Sequence, residues 1–313
     1  MARKFNAELR CQQEWGWLLA IWLFLGSSGS ALFLFFAVAG LPTDLALVSL
    51  GLLGVGGLVL LYELGSPLRA WRGIFRASTS WLSRGVVSVV LFVVSATLFI
   101  APRFASFAWL PWDENSVGGK ILGGIAGLSA LMIVLYPGFF LSKNRSIPFW
   151  NTPLLPVVLI VYAASGACGV VLLAAPFLTA DVSWVTVPAG VLVAVTVLAV
   201  ALYVVAGVLA GGPAAESVRR LNRGNIGWLA WLGIVVVGMV FPLAAILWDG
   251  SMAAPAGGAI LIGGFLFRYC VLKVGVYVPP AAVVATGIDF KMLNRTSANL
   301  EREYASMTAR GGK

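Results

Sequence analysis

Long apolar runs constrain the fold of this chain more than any other feature of its sequence. Eight of them follow one another, and each is close to the ~20 residues that a helix needs to cross a ~30 Å hydrocarbon core. Backbone polar groups in lipid must be satisfied within the structure, which leaves helices or a closed barrel. Since the runs lack the alternation of half-buried strands, and 60% of all residues are hydrophobic, we predict an all-α integral membrane protein.

The predicted architecture has eight transmembrane helices in one membrane domain. We expect two four-helix bundles packed side by side, preceded by an N-terminal segment over residues 1–16 and followed by a polar tail over 279–313. The transmembrane domain covers 17–278, with spans at 17–41, 45–61, 86–101, 120–141, 153–177, 185–209, 226–248 and 253–278. The third of these is short, and we expect it to begin nearer Trp81.

The distribution of charge predicts the orientation of the protein. With both termini on one side, that side receives 17 of the 21 lysines and arginines; the exceptions are Arg103 and Lys120 on the other side, and Arg268 and Lys273 within the last span. Positively charged loops stay in the cytoplasm. We therefore predict a multi-pass protein of a bacterial or archaeal cytoplasmic membrane with both termini inside, and we attribute the net charge of +9 to topology rather than to nucleic-acid binding.

The residue types that hold redox centres are scarce. The sequence has no histidine, which is the usual axial ligand of b-type haem. Its three cysteines, Cys11, Cys168 and Cys270, lie far apart and form no CxxC pair. We therefore expect no haem, no iron–sulfur cluster and no metal site in this protein.

Two ionisable residues inside the predicted spans need an explanation. Arg268 lies ten residues before Val278, about 15 Å into the last span, and a charge at that depth should face the bundle interior with a partner. Glu63, at the end of the second span, is the natural partner. Each has two interpretations: Arg268 locks helices together or supports a bound ligand, and Glu63 forms a salt bridge or carries protons.

The stretch YPGFFLSKNRSIPFWNTPLLP, residues 136–156, joins the fourth and fifth spans and is richer in proline and aromatic residues than a simple loop requires. Pro137 removes an amide donor and frees a carbonyl one turn earlier in the helix. Such backbone is tolerated at membrane depth where it lines a cavity. Tyr136 is therefore either a hydrogen-bond donor in a cavity or an ordinary tyrosine of the membrane interface.

Several motifs together resemble the NrfD/PsrC family of membrane subunits of polysulfide reductase-like complexes, and the related dimethyl sulfoxide reductase anchor subunits. They are ELGSPLRAW and SWLSRG after the second span, YPGFF and IPFWNTPLLP across the fourth and fifth, and FRYCVLKVG in the last. The resemblance implies a quinone pocket within the first four helices. Tyr136 matches the pocket tyrosine, Glu63 matches an acidic pocket residue, and Trp22 is the nearest match to a pocket residue of the first span.

The resemblance also implies a function. Such subunits pass two electrons and protons between menaquinone or ubiquinone and a ferredoxin-like iron–sulfur subunit, which connects to a molybdopterin catalytic subunit. We expect Tyr136 and Glu63 to carry the quinone and proton chemistry. The expected pocket and its charge support comprise Trp22, Glu63, Ser66, Arg69, Tyr136 and Arg268.

The partner subunits should dock at the two basic loops, on the side predicted to be cytoplasmic. The docking residues expected there are Arg72, Arg76, Lys143, Arg145, Trp150 and Asn151. Two other functions stay open at this point. Eight spans with intramembrane charge also suit a secondary transporter, and the protein could be a purely structural anchor without quinone chemistry.

Overall fold

Eight membrane-spanning helices dominate the computed structural model of the protein, which describes residues 11–63, 81–107, 109–248 and 252–278. This confirms the predicted all-helical fold and the number of spans. The single-turn 3-10 helices are Ala101–Arg103, Ala105–Phe107, Ala175–Phe177 and Ser183–Val185. The longer helices are α1 Trp17–Ala39, α2 Thr43–Glu63, α3 Trp81–Ile100, α4 Val117–Ser142, α5 Leu154–Ala174, α6 Thr186–Ala210, α7 Gly212–Leu221, α8 Gly224–Trp228, α9 Phe241–Trp248 and α10 Ala253–Lys273.

The seventh span, residues 224–248, differs from an ordinary α-helix. A π-helical segment, Leu229–Val240, joins α8 to α9 within it. Next to this segment, α10 approaches at backbone distance, since a Cβ built at Gly238 would lie 2.5 Å from the Cα of Gly263. Only glycine at both positions permits this crossing.

Among the described residues, the α-helix Gly212–Leu221 lies outside the eight spans, and the sequence analysis had assigned its residues to a loop. Helix α7 begins with Pro213 in its first turn and has Arg219 and Arg220 in its last. Both features are typical of helix ends, because proline fits the first turn and cations favour the C-terminal end. Glu216 forms ion pairs with both arginines.

Helix α1 lies at the centre of the structure. It contacts α2, α4, α5 and α10, and most of its residues are buried. Helices α2 and α6, in contrast, expose long apolar side chains such as Leu58 and Leu198, as expected for surfaces that face lipid. Because α1 contacts helices from both halves of the sequence, it joins them; the arrangement as two side-by-side bundles stays a prediction, as do the domain boundaries and the orientation in the membrane.

The last span ends earlier than predicted. Helix α10 stops at Lys273, so Arg268 lies five residues, or about 7.5 Å, from its end. A turn at Val274 follows, and Val276 then forms an isolated β-bridge with Cys11; both valines are fully buried. They meet the segment before α1, where Gln12 hydrogen-bonds to the carbonyl of Leu272 through its side chain and to that of Gly275 through its backbone amide. We call this end of the molecule, where α1 begins and α4 and α10 end, the basic end.

Candidate functional site

A narrow cavity, too small to hold a water molecule, lies between α1 and α4 near the basic end. Two further helices pack against the aromatic rings that line it. Gly56 of α2 approaches the Trp22 ring so closely that a Cβ there would be 3.2 Å away, and a Cβ at Gly85 of α3 would be 3.0 Å from the Tyr136 ring. The cavity is thus lined by α1 and α4, and α2 and α3 pack against its two aromatic rings. Its lining residues are Trp22, Leu23, Gly26, Ser27, Ile133, Tyr136 and Pro137.

Two residues that the sequence analysis assigned to one pocket, Trp22 and Tyr136, therefore meet in the structure. Trp22 is 4% exposed, and its ring covers Gly26 of its own helix as well as Gly56. Tyr136 is 5% exposed. The two aromatic side chains come from different helices and form facing walls of the same space.

Pro137 gives this cavity a backbone acceptor. Helix α4 continues through Pro137 to Ser142, so the proline does not break it. It nevertheless lacks the N–H that would bond to the carbonyl of Ile133, one turn earlier. Ile133 and Pro137 both line the cavity. Because proline has no N–H, the Ile133 carbonyl lacks its regular helical donor beside the cavity.

Tyr136 belongs to a row of four stacked rings that leads from the cavity to the basic end. Its ring centroid lies 5.5 Å from that of Phe140, which lies 5.6 Å from that of Trp15. Trp15 in turn stacks on Trp150 at 5.3 Å. We call these four residues the aromatic row. It connects the cavity wall to the segment before α1 and to the loop between α4 and α5.

Glu63 is the last residue of α2 and lies beyond the cavity, toward the basic end. It follows Gly56 by seven residues, which is two helical turns, so both project from the same side of α2. That side faces α1. Its Oε2 is buried and has no hydrogen-bond partner among the described residues.

Arg268 does not pair with Glu63, and the expectation that it would is wrong. Its Nη1 donates to the carbonyl of Gly264 at 2.9 Å and its Nη2 to the Oγ of Ser27 at 2.8 Å. No ion pair of either Arg268 or Glu63 is found in the described ranges. The side chain is 2% exposed and reaches the cavity only through Ser27, which lines it.

Trp150 is not a docking residue, contrary to the prediction. It is 1% exposed, and its Nε1 donates to the carbonyl of Val271 at 2.9 Å. The loop between α4 and α5 is thereby fastened to the end of α10. The signal that could have revealed this role is the stretch around it: Ile147 and Phe149 are apolar and are also buried, which indicates an inward-facing loop.

The other residues predicted to dock partners fall into two groups. Lys143, Arg145 and Asn151 are exposed, and the Asn151 amide donates to the carbonyl of Ser142. Lys143 also lies above the Trp81 ring, 5.2 Å from its centroid, where Arg84 lies at 4.9 Å. The second group falls in 64–80, outside the described residues, and comprises Arg72 and Arg76 together with the predicted pocket residues Ser66 and Arg69.

The fold and the site define a helical membrane protein of eight spans with a narrow cavity between the first and the fourth. Its sequence allows a more particular assignment. The family model described as "Polysulphide reductase, NrfD" matches residues 6–280, and the chain belongs to this family.

Three curated relatives agree with this assignment. Protein NrfD of Escherichia coli is 30% identical over 83% of this chain and 94% of its own length. A polysulfide reductase polypeptide of Wolinella succinogenes is 24% identical over 73% of this chain and 81% of its own length. A sulfite dehydrogenase subunit of Allochromatium vinosum is 31% identical over a shorter region, 42% of this chain and 40% of its own length.

Proposed function

We propose that this protein is the quinone-binding membrane subunit of an oxidoreductase complex. It exchanges two electrons and protons between menaquinone or ubiquinone in the bilayer and a ferredoxin-like iron–sulfur subunit, which serves a molybdopterin catalytic subunit. One observation carries the proposal: Trp22 of the first span and Tyr136 of the fourth line a single cavity. The names of the relatives, which include parts of a sulfite dehydrogenase and a polysulfide reductase, support the existence of such partners.

The protein's own residues have distinct roles in this function. The hydroxyl of Tyr136 donates a hydrogen bond to a quinone carbonyl, and the Ile133 carbonyl accepts one from the hydroxyl of a quinol. Glu63, two turns beyond Gly56, takes up and releases the protons. The quinone supplies the electron chemistry.

A quinone ring requires the cavity to widen. Ligand clefts usually measure ~300–1,000 Å³, whereas the present cavity has no room even for a water molecule. We expect the Trp22 ring to move, because it forms one wall of the cavity. A change in tryptophan fluorescence should therefore accompany binding.

The partners dock at the basic end, on the cytoplasmic side in the proposed orientation. Exposed Lys143 and Arg145 lie at this end and provide positive charge. In a complex of this kind the membrane subunit needs no redox centre of its own, because it brings a diffusible carrier within reach of the centre in its partner.

Quinone binding by the purified protein in lipid nanodiscs tests the proposal. A water-soluble menaquinone analogue should quench tryptophan fluorescence saturably, and Tyr136→Phe should weaken its binding about tenfold, the value of one hydrogen bond of about 1.4 kcal/mol. Tyr203→Phe is the matched control, because Tyr203 is equally buried and donates to the carbonyl of Phe149 at 2.8 Å, away from the cavity lining.

Saturable binding that is weakened by Tyr136→Phe and not by Tyr203→Phe would support the proposal. Equal affinities of the unmodified protein and both variants for the quinone analogue would mean that the quinone binds outside this cavity. A protein that binds no quinone but still assembles with its partners would be a structural anchor, and the proposal would be wrong.

A further inference from the structure

Ser27 is a cavity residue to which the sequence analysis gave no role. It lies on α1, one residue after Gly26, and lines the cavity together with Tyr136 of α4. Its Oγ is held from two sides, since it accepts a hydrogen bond from Nη2 of Arg268 at 2.8 Å and donates one to the carbonyl of Leu23 at 2.6 Å. Arg268 comes from α10, so this hydroxyl links the wall of the cavity to the last span.

The guanidinium that bonds to Ser27 is fixed in place independently of it. Its Nη1 bonds to the carbonyl of Gly264, and its Cζ lies 5.6 Å from the ring centroid of Phe24 and 5.9 Å from that of Tyr162. Both distances are within the ~6 Å range of cation–π attraction. Arg268 is therefore anchored by a carbonyl and two rings, and the bond to Ser27 is the one it directs toward the cavity.

The hydroxyl of Ser27 is free to change its acceptor. The Leu23 carbonyl lies in helix α1, where its regular partner is the backbone N–H of Ser27. This carbonyl therefore stays hydrogen-bonded when the Ser27 hydroxyl turns away from it. The bond from Arg268 uses an oxygen lone pair and persists during this rotation. A hydroxyl that accepts from a cation is also polarised, which makes it a better donor.

We propose that Ser27 is a second hydrogen-bond donor to the quinone, opposite Tyr136, and that Arg268 is the residue that positions and polarises it. This inference rests on the proposed function. The two donors come from facing helices, and a quinone carries two carbonyl oxygens on opposite sides of its ring. The site would thus bind both carbonyl oxygens of the ring. It would favour the quinone over the quinol, because the quinone oxygens only accept hydrogen bonds and both Tyr136 and Ser27 donate them.

The test compares oxidised and reduced forms of a menaquinone analogue, bound to the full-length protein in nanodiscs. Ser27→Ala should weaken binding of the quinone about tenfold and binding of the quinol less, because the quinol can still donate to the Ile133 carbonyl. Ser27→Thr keeps a hydroxyl and should restore the affinity. Ser95→Ala is the matched control, because Ser95 is buried in α3 and makes the same bond to the carbonyl four residues earlier, at 2.5 Å.

A second measurement needs no variant. In the infrared difference spectrum of a quinone labelled with ¹³C at one carbonyl or the other, both carbonyl bands should absorb at lower frequency in the protein than in hexane. A carbonyl band that does not shift would overturn the inference. Equal losses of quinone and quinol affinity in Ser27→Ala would also overturn it, because they would indicate a merely structural role for Ser27. Should the unmodified protein bind no quinone, the proposed function fails and the inference fails with it.

Discussion

Trp15 and Trp150 stack face to face, with ring planes 2° apart and centroids separated by 5.3 Å. One precedes α1 and the other lies in the loop between α4 and α5. Through Phe140 their stack extends to Tyr136, so the whole aromatic row is packed from the basic end to the cavity. A change in the position of that loop can therefore reach the proposed quinone donor through direct ring contacts.

Replacing Trp150 with phenylalanine should destabilise the protein and leave its partner surface intact. The variant keeps an aromatic ring but loses the Nε1–H that bonds to the carbonyl of Val271, and a buried group left without its partner costs about 1–3 kcal/mol. Thermal unfolding in detergent measures the effect. Trp248→Phe is the control, because Trp248 is 88% exposed and should tolerate the change. A loss of partner binding at unchanged thermal stability would show that Trp150 contacts the partner, as the sequence predicted.

Alanine at Gly85 should impair quinone binding. The added Cβ would lie 3.0 Å from the Tyr136 ring, so the ring must shift toward the cavity. We expect the dissociation constant for a quinone analogue to rise several-fold. Gly51→Ala provides the comparison, because a Cβ at Gly51 meets nothing within 4 Å and alanine favours a helix over glycine. If both variants bind equally well, Tyr136 can adapt and its exact position is unimportant.

Glutamine at Glu63 should slow turnover and spare binding. The amide cannot exchange protons, and positioned acid–base groups contribute ~10²–10⁴-fold to rate. Glu63 is absent from the cavity lining, so the quinone dissociation constant should stay nearly unchanged. Quinol-linked turnover of the assembled complex measured across pH is the readout, with Glu14→Gln, at an exposed position before α1, as control. An unchanged rate at every pH would exclude Glu63 as the proton carrier.

Reversing the charge of Lys143 and Arg145 should weaken association with the iron–sulfur partner. Both side chains are exposed at the basic end, and the effect should shrink as salt rises, because charges on a surface are screened over ~10 Å at about 0.1 M ionic strength. The affinity of purified partner for the protein in nanodiscs is the measurement. Lys120→Glu serves as control at the opposite end of α4. Equal weakening by Lys120→Glu would place the partner on the other side.

The sequence predicted the spans well because hydrophobic length alone determines them. The lipid admits few alternatives to a helix of about twenty apolar residues, so α1 and α5 begin within a residue of their predicted starts at 17 and 153. The pairing of Trp22 with Tyr136 was also accessible, through resemblance to a family. The freed carbonyl of Ile133 followed directly from Pro137.

What the sequence could not supply were contacts between distant side chains. Glu63 and Arg268 looked complementary because opposite charges attract, yet the guanidinium is satisfied by a serine, a carbonyl and two rings. Trp150 looked like an interface residue because tryptophan is common at membrane surfaces and in interfaces. Which way it faces depends on Val271 and Trp15, and neither is near it in sequence.

The contacts of Gln12 and Ser27 have a consequence for biogenesis. Within the described ranges, the segment before α1 leaves the ribosome first and the residues after α10 leave it last. Gln12 nevertheless bonds to Leu272 and Gly275, and Ser27 bonds to Arg268. During synthesis the hydroxyl of Ser27 on α1 therefore lacks its partner on α10 until the intervening spans have been inserted into the membrane. A nascent polypeptide stalled after Trp248 would lack Arg268 and the bonds of Gln12 at the basic end. Such a polypeptide is an unfinished form that a membrane quality-control protease could distinguish from the completed one.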